Sequence, residues 1–163
     1  MAPIQYGGFE DVEPHELAEF YERLGHNIDA ETQQIQTMVQ NSVAFATARA
    51  DGKLIGIARG VCDGVRGFFT ECKLDPAYQG PACITRRDGR IEDDAHGIAT
   101  QMARRVLDKL FASGARRVDA LAWGTEVDFC GELGFRKQGG IVGMTMRPED
   151  ALVLATRTAT AQA

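Results

Sequence analysis

The sequence is short of most features that would mark a specialised class. Its four cysteines, Cys62, Cys72, Cys83 and Cys130, form no C-x-x-C pair. A disulfide scaffold needs dense cysteines and a zinc centre needs paired ligands, so neither is expected, and no metal site is predicted. Cys62 and Cys72 read as small packing residues of a reduced compartment. The three histidines, His15, His26 and His96, stand far apart without metal-ligand spacing; only His96 falls at a position of interest, just before a predicted helix. Basic residues are not in excess, since the formal charge is -5 with both signs interspersed. Nucleic acid and anionic membrane both call for a concentrated basic patch, so neither partner is expected. No apolar run approaches the length of a membrane span, and no basic segment precedes an apolar one at the start. The expectation is a cytoplasmic protein.

What is present is an ordinary globular composition, 44% hydrophobic and 25% charged, which argues against disorder. With 163 residues, one domain over 1–150 is expected, followed by an Ala/Thr-rich tail over 151–163. Leu17, Phe20, Tyr21 and Leu24 repeat at helical spacing after Pro14, which predicts a helix over 14–24 ended by Gly25. A second helix carries Ile35, Met38 and Val39, with Asp29 as its cap. From Ser42 the period changes to that of strands. Asp51-Gly52 and Asp63-Gly64 turn three sequential strands into an antiparallel meander ending near Leu74. Ile98, Met102, Val106 and Leu110 predict a helix from Gly97 to about Ser113, stopped by Gly114. A strand over 116–123, a short helix over 126–133, and a hairpin turning at Gly139-Gly140 and returning over Ile141–Met146 complete the reading.

Three motifs in this order resemble the GNAT superfamily of acetyl-CoA-dependent N-acetyltransferases. They are Leu74-Asp75-Pro76-Ala77-Tyr78-Gln79-Gly80, Gly97-Ile98-Ala99 at a helix start, and Phe129-Cys130-Gly131-Glu132-Leu133-Gly134-Phe135. The resemblance covers roughly residues 12–147. It implies an α/β fold with a mixed, mostly antiparallel sheet, a central splayed pair of parallel strands, and flanking helices. It also implies acetyl-CoA as the acyl donor and a small-molecule amine as acceptor, with a homodimer left open. By that resemblance Gln79, Gly80, Gly97, Ile98 and Ala99 hold the pyrophosphate, where unpaired helix-start amides favour an anion. Cys72, Lys73 and Leu74 line the pantetheine arm, and Trp123 stands beside the cofactor. Glu71 is the candidate base and Cys130 the candidate proton donor to the departing thiolate. The alternatives are a solvent-facing strand carboxylate for Glu71 and a packing residue for Cys130.

The sequence departs from the family pattern on the cofactor side. An insertion over about 81–95 interrupts the phosphate loop and ends in Glu92-Asp93-Asp94, residues able to cap the following helix themselves. Trp123 and Glu126 replace the Asn and Ala common in the family, and Cys130 replaces a Tyr. Two placements of the insertion follow. As an excursion turned by Asp88-Gly89 it leaves the helix start open, with Arg86, Arg87 or Arg90 able to reach phosphates. As a cap it closes the anion site. Beside an N-acetyltransferase, two further functions stay open: an enzyme of specialised metabolism that keeps the fold but not CoA, such as a cyclase or condensing enzyme, and a catalytically silent ligand-binding protein.

Overall fold

The structure is a computed structural model that describes residues 1–28, 30–84, 88–151, 153 and 157. Its elements run β1 (Ile4–Gly7), α1 (Pro14–Leu24), α2 (Thr32–Asn41), β2 (Ala44–Ala50), β3 (Lys53–Cys62), β4 (Arg66–Leu74), α3 (Ile98–Ala112), β5 (Arg117–Ala120) and α4 (Glu126–Leu133). Short 3₁₀ turns occupy Phe9–Asp11 and Pro76–Tyr78. The five strands lie in sequence order, every pair antiparallel except β4 with β5, which run parallel. The fold class expected from the sequence is the one observed.

Local chemistry sets the boundaries. Pro14 opens α1 and Gly25 closes it with φ 71°, a left-handed conformation that costs glycine little. Asp51 and Gly52 both take positive φ, 48° and 78°, as a tight turn between β2 and β3 requires. The Asp63 carboxylate accepts the amides of Val65 and Arg66 at 2.9 and 2.7 Å and fixes the next turn.

Two apolar layers sandwich the sheet. On one face α1 and α2 bury Leu17, Phe20, Tyr21, Ile35 and Val39 against Leu54 and Ile57. On the other, α3 packs Ile98, Met102, Val106 and Leu110 onto the alanines of β2 and onto Phe69, Cys72 and Leu74 of β4. Helix α3 comes this close because β3 offers Gly56 and Gly60. A Cβ there would stand 2.7 Å from the Met102 methyl and 2.8 Å from a Leu110 methyl. Among the described residues no helix is long and apolar enough to cross a membrane.

Several details differ from the sequence reading. Strand β1 was not anticipated; it pairs along the outer edge of β2. Helix α2 begins at Thr32 with Glu31 before it, whose amide donates to Gln34 Oε1 at 2.9 Å, and the expected cap Asp29 lies outside the described residues. The terminal hairpin does not form, since no residue from 135 to 147 is in a strand. Gly139, Gly140 and Gly143 weaken strand propensity there, and Ile141-Val142 breaks the alternation a one-sided strand needs. Ile141, Val142, Met144 and Met146 are accordingly exposed. Most of the expected tail lies outside the described residues.

Candidate active site

The site begins where β4 and β5 part. Their pairing runs from Arg66 with Arg117 to Phe69 with Ala120, and β5 then ends. Strand β4 continues to Leu74, bonded on one side to β3 and open on the other. Crevices at the carboxyl ends of diverging parallel strands are where open α/β sheets take ligands. Helix α4 walls the far side, and a cavity of about 210 Å³ remains. At about 30 Å³ per water, that is room for roughly seven waters or one small molecule.

Titratable side chains reach this cleft from both walls. Glu71 accepts a hydrogen bond from the Tyr21 hydroxyl and pairs with Arg59 Nε at 2.7 Å. Arg59 and Glu71 are register partners on β3 and β4, which is why the two meet. Burial, then the Glu71 carboxylate, pushes the Tyr21 hydroxyl well above its ordinary range, so it stays protonated and donates. Across the cleft Glu126 and Cys130 sit four residues apart on α4, hence on one face. Burial raises the Glu126 carboxyl, although the Trp123 amide donates to it at 3.2 Å. Burial, then Glu126, lifts the Cys130 thiol to about 11. Cys130 is therefore a neutral thiol at ordinary pH and a poor acid.

Lys73 and His26 share the cleft with the insertion. Lys73 is almost fully buried and donates from Nζ to the Asp88 carbonyl at 2.8 Å. The Asp88 carboxylate lies 3.9 Å from Lys73, 3.5 Å from His26 Nδ1 and 3.2 Å from Arg90 Nε. Burial lowers the Lys73 ammonium and the His26 imidazolium alike. Arg90 in turn lies over the Trp123 ring, 5.0 Å from its centroid, so the insertion spans the cleft from β4 to the segment after β5.

The remaining residues assigned by resemblance are engaged with the chain itself. Gln79 is fully buried and all four hydrogen bonds of its amide are made internally. It donates to the carbonyls of Leu74 and Arg90 at 2.9 and 2.8 Å and accepts from the amides of Glu92 and Asp93 at 2.8 and 3.2 Å. Gly80 lies against the Asp93 carboxylate, 2.4 Å from where a Cβ would stand. The Leu74 amide donates to the Gly89 carbonyl at 2.9 Å, and the Cys72 thiol approaches the Ala99 carbonyl at 3.8 Å. Gly97 caps α3 with φ 68°, and its amide bonds the Asp94 carbonyl at 2.9 Å. The Asp94 carboxylate accepts from the amides of Ala99 and Thr100, both at 2.9 Å, and from the Thr100 hydroxyl at 2.7 Å. Ile98 is buried in the core, while His96 is exposed.

Of the two placements open to the insertion, the structure does not show the surface excursion. Asp88 and Gly89 do form a turn, with φ 43° and 73°, and among the described residues beside it none is in a strand, while Arg86 and Arg87 lie outside the described residues. The segment closes on the helix start instead, because Ile91, almost fully buried, anchors it in the α3-side core. The sequence reading also missed Tyr21 and Arg59 as partners of Glu71, and it placed Glu126 on the cofactor side without giving it a role in the chemistry. The spacing of Glu126 and Cys130 on one short helix was the signal for the last.

No family model and no curated protein matches the chain. Solved structures do. A probable acetyltransferase of meticillin-resistant Staphylococcus aureus aligns with TM-score 0.69 at 11% identity, over 89% of this chain and 99% of that one. A GNAT-family acetyltransferase of Streptococcus pneumoniae aligns with TM-score 0.60 at 15% identity, over 90% and 100%. An aminoglycoside N-acetyltransferase solved in complex with CoA aligns with TM-score 0.62 at 18% identity, over 89% and 94%. The chain has the fold of the GNAT acetyltransferases. The residues at its helix start do not fit CoA as they stand. A carboxylate already holds the amides of Ala99 and Thr100, and two anions cannot share one set of donors.

Proposed function

We propose that the chain is an enzyme of acid–base chemistry on one small polar molecule bound between β4 and β5. The observation that carries this is the pair of carboxyl groups facing one cavity from opposite walls in unlike surroundings. Glu71 is paired with Arg59 and accepts the Tyr21 hydroxyl, which fixes its carboxyl group at the cavity wall. Glu126 is buried and raised, which favours its acid form. Of two carboxyl groups at one cavity, the buried and raised one is assigned as acid and its counterpart across the cleft as base. Tyr21 and Arg59 hold the base in place.

N-acetyl transfer from acetyl-CoA to a small amine is the second reading. The order of elements favours it, as do acetyltransferases of similar fold, one of them solved in complex with CoA. Glu71 serves as base in either case. A ligand-observed NMR screen of small amines and carboxylic acids tests the leading reading. Turnover of a hit is expected to fall at least about a hundredfold in Glu71→Gln and in Glu126→Gln, the usual scale of a lost acid or base. Unchanged turnover in both variants refutes it.

A further inference from the structure

We infer that the segment Asp88–Asp94, with Gln79 beneath it, is a built-in occupant of the cleft's nucleotide side, so that the protein works without acetyl-CoA. This deepens the acid–base reading above and rests on it for the nature of the chemistry.

Three backbone donors along this groove, the amides of Leu74, Ala99 and Thr100, already have partners within the chain. A phosphate at a helix start requires free amides, and the Asp94 carboxylate takes those of Ala99 and Thr100 in a bidentate cap. An extended arm along the open edge of β4 requires its outward amides, and the Leu74 amide already pairs with the Gly89 carbonyl. These are the two kinds of contact, anion to helix amide and carbonyl to strand amide, that a pyrophosphate and an amide-containing arm would make. The segment reproduces both with its own atoms.

The segment is fastened at both ends and in the middle. Lys73 holds the Asp88 carbonyl. Gln79 binds the backbone of Arg90, Glu92 and Asp93. Ile91 is in the core, and Arg90 stacks on Trp123 across the opening. A lid that opens for a cofactor is joined by contacts that water can replace. Here a buried isoleucine and a fully satisfied buried amide would both have to be exposed. What stays open is the side of the cleft lined by Glu71, Glu126 and Cys130, which fits a small substrate and not a nucleotide.

Isothermal titration of the full chain with acetyl-CoA and with CoA tests the inference. The expected result is no saturable heat, meaning Kd weaker than about 1 mM for both. Saturable binding of either below about 100 µM overturns it, whether or not the segment moves to allow it. A second arm titrates inorganic pyrophosphate into Asp94→Ala and Asp94→Asn. Freeing the helix amides is expected to tighten pyrophosphate at least about tenfold in the alanine variant over the parent, an effect of about 1.4 kcal/mol. Equal affinity in all three proteins contradicts Asp94 as the occupant. The two readings fail separately. CoA binding removes this inference and leaves Glu71 and Glu126 as base and acid, whereas unchanged turnover in both Glu71→Gln and Glu126→Gln removes the acid–base reading without touching this one.

Discussion

Replacing Ile91 with alanine measures whether the segment is part of the fold. Ile91 is 1% exposed and packs in the cluster under α3, although it lies between charged residues in an insertion. Truncation removes three carbons, about 2.4 kcal/mol of transfer free energy at about 0.8 kcal/mol for each. The cavity left behind brings the expected loss to about 2–4 kcal/mol. For a chain of this size that lowers Tm by roughly 5–15 °C. Ile84, in the same insertion, is 81% exposed, so Ile84→Ala should stay within about 0.5 kcal/mol of the parent and serves as an internal control. Urea unfolding followed by circular dichroism gives both numbers, with unchanged slope as the check on two-state behaviour. An Ile91→Ala protein as stable as Ile84→Ala would refute the reasoning, because the segment would then be an appendage.

Other outcomes follow from the same contacts. Asp94→Ala should cost about 1–2 kcal/mol in the same urea assay, since a charged cap on three α3 donors is lost. Tyr21→Phe should cost about 1 kcal/mol, leaving Glu71 with Arg59 alone. The Glu16 carboxyl is held low, chiefly by its hydrogen bonds to Arg49. Its contribution to stability is therefore complete above the ordinary carboxylate range and lost as pH falls through the lowered value. Glu16→Gln should flatten the acid limb of the stability curve, and an unaltered limb would count against the pair. Peptide-resolved alkylation of Cys130 by iodoacetamide should rise with pH toward about 11, and full reactivity at pH 8 would contradict its buried, neutral state.

Most of the frame was legible because its signals are local. The stripe Leu17, Phe20, Tyr21, Leu24 is the buried face of α1, and Asp51-Gly52 is the turn its dipeptide announces. Helix α3 ends within a residue of its predicted bounds, and its two flanking strands are parallel neighbours, as a strand–helix–strand unit implies. Strand β1 escaped notice because four residues at a sheet edge carry too little periodicity to register. The terminal hairpin was over-read from a Gly-Gly pair, when a strand also needs a partner and an alternating face. The site was harder, because its relations are long-range. Nothing near Glu71 in sequence points to Tyr21 fifty residues earlier. Ile91 looked like one apolar residue in a polar loop, and only packing shows it to be an anchor. The acidic run Glu92-Asp93-Asp94 did announce a cap, and Asp94 is the residue that makes it.

The helix-start and strand-edge amides offer the most direct measurement. In a ¹⁵N-labelled sample the Leu74, Ala99 and Thr100 amides report the Gly89 carbonyl and the Asp94 carboxylate that now hold them. Adding acetyl-CoA to about 0.1 mM should leave these three resonances essentially where they are, because a Kd weaker than about 1 mM occupies at most about a tenth of the protein. Shifts of all three, saturating together with the nucleotide, would show the segment displaced and contradict the account.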